Sequence, residues 1–339
     1  MELRPREIPE RYRGLVDRAA DFIGRHQLPS GAIPYNEGGV IDPWDHVECA
    51  IALDLCGRFD RATSAYLWLR EKQNPDGSWY YTYQGEQPQI LAKDTNHSSY
   101  IATGIWHHYL ATQEVDFLRE MWPVVEGGIR FALDLQQPTG DIYWALDADD
   151  RAWPGGLLSA SSCIWGSLIN GLRIARVVGF DKPEWHKASI RLAEAIRQRP
   201  HLFDRFGENS RGYAMHWYYP VLCGVLQGEE GRKRIREGWS DFVVPGWGCK
   251  CSLDQPWVAV AETCELILAL RNIGEWERAE MLLDGVLQLE DKDGGFWMGI
   301  RVPEQIIWPP DEKTTWTAAA VILAVVALTE VEGRASINF

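Results

Sequence analysis

The sequence predicts an all-α fold, a single (α/α)6 toroid of six helical hairpins over residues 1–339, with long loops gathered at one end. Three observations predict it. Apolar patterns of period 3.6 recur along the chain and alternate between helices apolar nearly all round and helices with one charged face. Connections alternate as well: about one to four residues after an apolar helix, mostly about 13 to 23 after a charged-face helix. Lastly, Gly57-Arg58-Phe59-Asp60-Arg61-Ala62 leading to Asp76-Gly77-Ser78-Trp79 is echoed by Gly274-Glu275-Trp276-Glu277-Arg278-Ala279 leading to Asp293-Gly294-Gly295-Phe296-Trp297. A repeating unit that cannot bury its apolar face alone closes against its neighbours.

The first helix, 12–26, is amphipathic and stops before Pro29-Ser30-Gly31. Asp42-Pro43-Trp44-Asp45 then opens a more apolar helix, 46–55, and after a minimal break at Gly57 a charged-face helix covers 60–72. A loop with the turn signal Asn74-Pro75-Asp76-Gly77 and the aromatics Trp79, Tyr80, Tyr81 and Tyr83 follows. The pattern repeats as 95–111 and 115–136, then a loop carrying Tyr143-Trp144, Asp147-Ala148-Asp149-Asp150 and Trp153-Pro154-Gly155-Gly156. Further helices are expected at 159–178, 183–197, 213–226, 229–237, 257–273 and 275–289, broken at Gly179, Gly228 and Gly274. The last, 314–328, is a nearly uninterrupted Ala/Val/Ile/Leu run. With charged-face helices outside and apolar ones inside, every long loop lands at the same end of the ring.

The net charge of −14 argues against a nucleic-acid backbone or an anionic membrane surface as partner. No stretch reaches about 18 uninterrupted apolar residues, so no membrane span is expected and a cytoplasmic location is the default. Seven cysteines, mostly in helical patterns, look like reduced thiols. Cys249-Lys250-Cys251 has no neighbouring ligands to complete a zinc site, so neither a metal nor a cofactor is expected. The partner implied is a carbohydrate or other small-molecule substrate, because several of the 17 tryptophans fall in turn segments, where a core does not need them.

Two resemblances attach to particular residues. Pro303-Glu304-Gln305, Trp308 and Thr314-Thr315-Trp316 before an apolar helix resemble the loop carrying the general base of six-hairpin glycosidases of the glucoamylase type. Trp44-Asp45 is similar to their first sugar-contacting loop, and Asp94-Thr95 with Phe117-Leu118-Arg119-Glu120-Met121-Trp122-Pro123-Val124 to the next hairpin. The resemblance implies an inverting glycoside hydrolase. It departs where Ala145, not Glu, follows Trp144, and where Trp44 replaces the usual Arg. The second resemblance is to squalene and terpene cyclases: Trp68-Leu69, Gln73, Gly77 and Trp79 fit their QW repeat, and Asp147-Ala148-Asp149-Asp150 their proton-donor motif. It implies a cyclase using Asp149.

Glycoside hydrolysis needs an acid for the leaving oxygen and a carboxylate on the other side of the ring. From the loop face, Glu304 is expected as base acting on water, and Asp149 or Asp147 as acid. Asp311 and Glu312 stand just before Thr314, where they favour the positive end of the last helix. Glu262 and Glu265 lie in an apolar helix pattern, where buried acids need partners, and Glu262 is a further candidate. Substrate contacts are expected from Trp44, Asp45, Trp79, Tyr81, Asp94, Trp144, Asp150, Trp153, Trp247, Trp297, Trp308 and Trp316. His46, His97 and His216, at or near the starts of inner helices, resemble the paired histidines of the (α/α)6 sugar epimerases. A non-catalytic sugar-binding toroid is the third reading, motivated by Ala145.

Overall fold

The computed structural model describes residues 10–205 and 210–329. Its helices are α1 Glu10–His26, α2 Pro43–Leu55, α3 Phe59–Lys72, α4 Thr95–Thr112, α5 Val115–Asp134, α6 Leu158–Val178, α7 Pro183–Gln198, α8 Ala214–Leu222, α9 Gly228–Phe242, α10 Val260–Asn272, α11 Trp276–Leu287 and α12 Thr315–Leu328. The even-numbered helices close on themselves in the order α2, α4, α6, α8, α10, α12 and back to α2. Each odd-numbered helix packs outside, α3 to α11 against the inner helix just before it. The sixth pair is made by the two ends of the described chain, α1 against α12. The all-α toroid is therefore the fold. No helix among the described residues is long and apolar enough to cross a membrane.

Inner helices start at the long-loop end, and their first turns are capped there. Asp42 accepts from the amides of Trp44 (2.7 Å) and Asp45 (3.3 Å), with Pro43 at the first helical position. Asp94 caps α4 in the same way, and Thr314 caps α12. Alternation of exposure follows: α12 buries every residue from Thr317 to Ala327, whereas α9 buries only Gly231, Ile235, Gly238 and Phe242.

Short strands, absent from the helical reading, line the loop end: β1 Val40–Ile41, β2 Thr82–Gln84, β3 Gln87–Ile90, β4 Lys93–Asp94, β5 Ala145–Leu146, β6 Val243–Val244, β7 Gly248–Lys250, β8 Trp257–Ala259, β9 Gly299–Arg301 and β10 Ile306–Ile307. They form antiparallel sheets, the largest in the order β10-β9-β8-β7-β6. This corrects the expected helix over 257–273, because residues 257–259 pair with both β7 and β9 before the chain turns helical. The helix expected over 213–226 is shorter too. It ends at Leu222, with Gly224 at φ 80°.

A repeated latch roots the loops. Gln27 donates to its own turn at Gly31 (3.0 Å) and to Arg61 O in α3 (2.9 Å). Gln73 does the same to Gly77 (3.0 Å) and Val124 O in α5 (2.9 Å), and Gln136 to Gly140 (3.1 Å) and Ala188 O in α7 (3.0 Å). Glu290, four residues before Gly294, takes the corresponding role by accepting from Arg18 of α1 (2.8 Å). The glycines have φ of 97°, 93°, 96° and 83°, and each lies hard against the neighbouring outer helix. Two turns are tied further by lysines: Lys93 reaches Asp76 (2.8 Å) and Lys313 reaches Asp293 (2.6 Å). The QW-like residues Gln73, Gly77 and Trp79 thus serve the ring itself, with Trp79 buried and donating to Leu69 O (2.8 Å).

These contacts make the close approach measurable. A Cβ at Gly77 would meet Gly127 O at 2.2 Å, while one at Gly57 (φ 71°) meets nothing within 4 Å. Gly77→Ala is expected to lose about 1–3 kcal/mol more than Gly57→Ala in denaturant unfolding, since both carry the positive-φ penalty and only one overpacks. Equal losses would show that the latch is not tight.

Candidate active site

Because the inner helices share a direction and a face, equivalent residues form tiers around the ring axis. The sixth residues of α2, α4, α6, α8, α10 and α12 are Glu48, Tyr100, Cys163, Tyr219, Glu265 and Ala320. All six line one closed gap of about 10 Å³, room for about one water molecule. Leu222, Leu268 and Leu323, three residues further on, seal it below, and Trp44 covers it. The third residues, one turn nearer the loops, are Asp45, His97, Ala160, His216, Glu262 and Thr317. Asp45 and Glu262 flank α12, and His97 and His216 flank α6.

The lower tier is buried and hydrogen-bonded. Glu48 accepts from Trp316 Nε1 (2.7 Å) and Tyr100 OH (3.1 Å). Glu265 accepts from Tyr219 OH (2.6 Å) and from Tyr218 OH. Burial pushes Glu48 up to about 7 against those donors. Burial, then the Glu48 charge, raises Glu265 well above the carboxylate range. Trp44 stacks on Tyr100 with ring centroids 3.9 Å apart.

The upper tier faces the mouth. Asp45, half-buried, is raised well above its ordinary value by desolvation, then by the charges of Asp42, Glu48, Glu265 and Glu262. Burial also raises Glu262, opposed by a hydrogen bond with the Cys251 thiol. Tyr35 joins from the loop before α2. Its hydroxyl reaches Met298 Sδ (3.5 Å), and burial followed by Asp45, Glu312, Glu262 and Asp42 raises its pKa. His97 Nδ1 lies 3.8 Å from Asp42 Oδ1, and its ring stacks on Tyr81 at 5.0 Å. Tyr81 meets Trp144 edge-on (6.5 Å), which meets Trp153 edge-on (5.1 Å), an aromatic wall running out to the exposed rim.

The expected residues divide accordingly. Trp44, Asp45, His97, Trp144, Trp153, His216, Glu262 and Trp316 come to the two tiers or the wall. His216 Nδ1 lies 2.7 Å from Asp204. Asp147 instead caps its own turn, exposed, and the amides of Arg151 and Asp149 hold it below its usual range, the wrong direction for a proton donor. Asp149 pairs with Arg151 (3.1 Å) and is two-thirds exposed, and Asp150 pairs with Lys93 (2.7 Å). That placement runs against the expectation of an acid there, and with it against a cyclase that uses Asp149 as proton donor. Glu304 lies exposed in the turn between β9 and β10. Glu312, eight residues further on, is the terminal-loop carboxylate felt at Tyr35.

His46 is a second correction: Nδ1 accepts from Ile33 N (3.1 Å), Nε2 meets Ala65 O (2.9 Å), and burial lowers its pKa to about 4, so it is a neutral core residue. Asp94 is occupied as the α4 cap, and Trp79 is core. Lys313 sits over the half-buried Trp297 (4.8 Å), Arg301 over Trp308 (5.3 Å), and Trp247 packs beside α11; none of these three lines the axial gap. Residues not selected from sequence are Tyr35, Asp42, Glu48, Tyr100, Tyr218, Tyr219, Cys251 and Glu265. A signal existed for the acids: Asp45/Glu48 and Glu262/Glu265 both stand at i, i+3 in apolar helices.

No family model matches the chain. Among solved structures it is similar to a D-mannose isomerase (TM-score 0.72, 10% identity, covering 95% of this chain and 98% of that one). It is also similar to a wild-type glycosidase (TM-score 0.69, 14% identity, 94% and 96%). Likenesses at such identities show the ring fold alone. In sequence it is 43% identical over 323 residues to the MMP endo-(1,4)-3-O-methyl-alpha-D-mannosidase of Mycolicibacterium hassiacum, covering 94% of this chain and 86% of that protein. At that identity and coverage, the chain belongs to the family of this endo-mannosidase and is a carbohydrate-acting, glycoside hydrolase-like enzyme.

Proposed function

We propose that the chain hydrolyses α-(1,4) bonds within chains of 3-O-methyl-mannose, with inversion, using Asp45 as general acid and Glu262 as general base. The carrying observation is the pair of carboxylates in equivalent positions on α2 and α10, one half-buried and one buried, at the open end of a ring whose floor is sealed. The substrate class is supported by the 43% identical relative. The same reading takes residues 1–339 as one unit, because no hairpin can be removed without opening the ring.

Asp45, whose protonated form is favoured by desolvation and then by the charges of Asp42, Glu48, Glu265 and Glu262, gives its proton to the glycosidic oxygen. Glu262 takes a proton from water, whose oxygen bonds to C1 as the C1–O bond breaks. One proton enters the leaving alcohol and one leaves the water. Inversion needs the carboxyl groups roughly 6.5–9.5 Å apart, with water between them. Tyr81, Trp144 and Trp153 offer ring faces to neighbouring sugar units, and His97 a hydrogen bond. Each inner helix also points its positive end at the mouth, which favours carboxylates in the first turn.

A second reading, sugar isomerisation, is favoured by His97 and His216 sharing the upper tier on either side of α6. Incubation with mannose in D₂O tests it. Deuterium entering the C2 position of the recovered sugar would support proton abstraction, and its absence would dismiss it.

For hydrolysis, purified enzyme and α-(1,4)-linked 3-O-methyl-mannose oligosaccharides should yield mid-length products by mass spectrometry. Release of single sugars alone would sink the endo reading. Asp45→Asn and Glu262→Gln are expected to lower kcat about 10²–10⁴-fold, while Glu304→Gln and Asp149→Asn stay within roughly an order of magnitude of the parent. The raised pKa of Asp45 fixes a sign as well. The alkaline limb of activity should lie above the pH at which an ordinary aspartate loses its proton, and a profile falling only toward acid would contradict the assignment.

A further inference from the structure

The lower tier has no contact with the proposed reacting bond, yet it places two carboxyl groups around one sealed gap. Two carboxyl groups lining so small a space oppose each other's ionisation. The donors are unequal in kind. Glu48 receives an indole N–H and a phenol from α12 and α4, while both donors of Glu265 come from adjacent residues of α8. Burial raises both, Glu48 to about 7 and Glu265 well above its ordinary range, the latter also through the Glu48 charge.

We propose that Glu48 and Glu265 are positioning residues: their negative charge, held one helical turn beneath Asp45 and Glu262, keeps the proton on the mouth acid. The inference rests on the hydrolase reading and deepens it. The geometry carries it. Glu48 is three residues after Asp45, and Glu265 three after Glu262, so each floor residue lies under its mouth residue. Other titratable groups facing the pair are Asp42 and Cys49 on the α2 side, Tyr100 on α4, Cys163 on α6, Tyr218, Tyr219 and Cys223 on α8, and Cys249, Cys251 and Cys264 around α10. Burial raises the thiols at Cys49, Cys163, Cys249, Cys251 and Cys264, leaving them neutral, so the moving charges are the carboxylates.

The test compares three variants by the pH dependence of kcat and, independently of turnover, by ¹³C NMR titration of the Asp45 carboxyl. Glu48→Gln removes the floor charge, so the Asp45 titration and the alkaline limb should both move to lower pH by about one unit. Tyr100→Phe withdraws one hydrogen bond from the charged Glu48 while keeping the ring stacked on Trp44, and should move them the same way by less. Glu265→Gln removes the other floor carboxyl, whose charge also raises Asp45, and should move them the same way. KM should change less than kcat in all three. Should Glu48→Gln fail to fold, Tyr100→Phe decides alone. A shift to higher pH in either Gln variant, or an Asp45 titration that none of them moves, would overturn the inference. If Asp45→Asn and Glu262→Gln keep full activity, their assignment as acid and base falls, while the NMR titration still shows whether the floor governs Asp45.

Discussion

The fold depends on covering α12 from every side. A helix that buries each residue from Thr317 to Ala327 cannot lie at a surface, and a two-layer packing would leave one face of it in water. α10 and α2 cover its flanks and α1 its back, while its axial face meets the other inner helices. Because α1 and α12 are the first and last helices, this requirement ties the two ends of the described chain and closes the ring. The same closure brings six N-terminal turns to one mouth.

That closure also creates a conflict. The axis is the most secluded part of the molecule, and there the chain sets Glu48, Glu265, Glu262 and Asp45 among aromatic and aliphatic side chains. Burying charge is expensive unless it is hydrogen-bonded or neutralised. Here both remedies operate: tyrosine and tryptophan donors serve the lower pair, and burial favours the protonated forms above. Sites that break the ordinary rules of core composition without structural need are where function is expected.

Much of this was legible in the sequence. Periodicity located all twelve helices, and loop lengths told at which end the long loops gather. Glu262 was visible as an acid in an apolar helix, His97 and His216 by their places near the starts of inner helices, and Asp45 by its likeness to a sugar-contacting loop. What failed were residues whose role depends on a partner far away in the chain. Glu304 and the Asp147–Asp150 cluster look chemical in a loop, but a turn cap, Arg151 and Lys93 occupy the latter. His46 and Trp79 are indistinguishable by spacing from mouth residues until one sees them bonded to Ala65 and Leu69 backbone. The lower tier was missed because only ring closure shows that the sixth residues of six separate helices meet.

The glutamine–glycine latches give the molecule a modular character. Each fixes the root of a loop to the adjacent outer helix through backbone carbonyls, which any sequence supplies, and leaves the rest of the loop to be held by separate contacts such as the short strand pairs. Mutation, insertion or deletion beyond the latch can therefore reshape the mouth without being transmitted into the ring. A scaffold built this way separates the inheritance of shape from the inheritance of specificity. Relatives can diverge in the sugars they accept while the barrel of helices beneath stays the same.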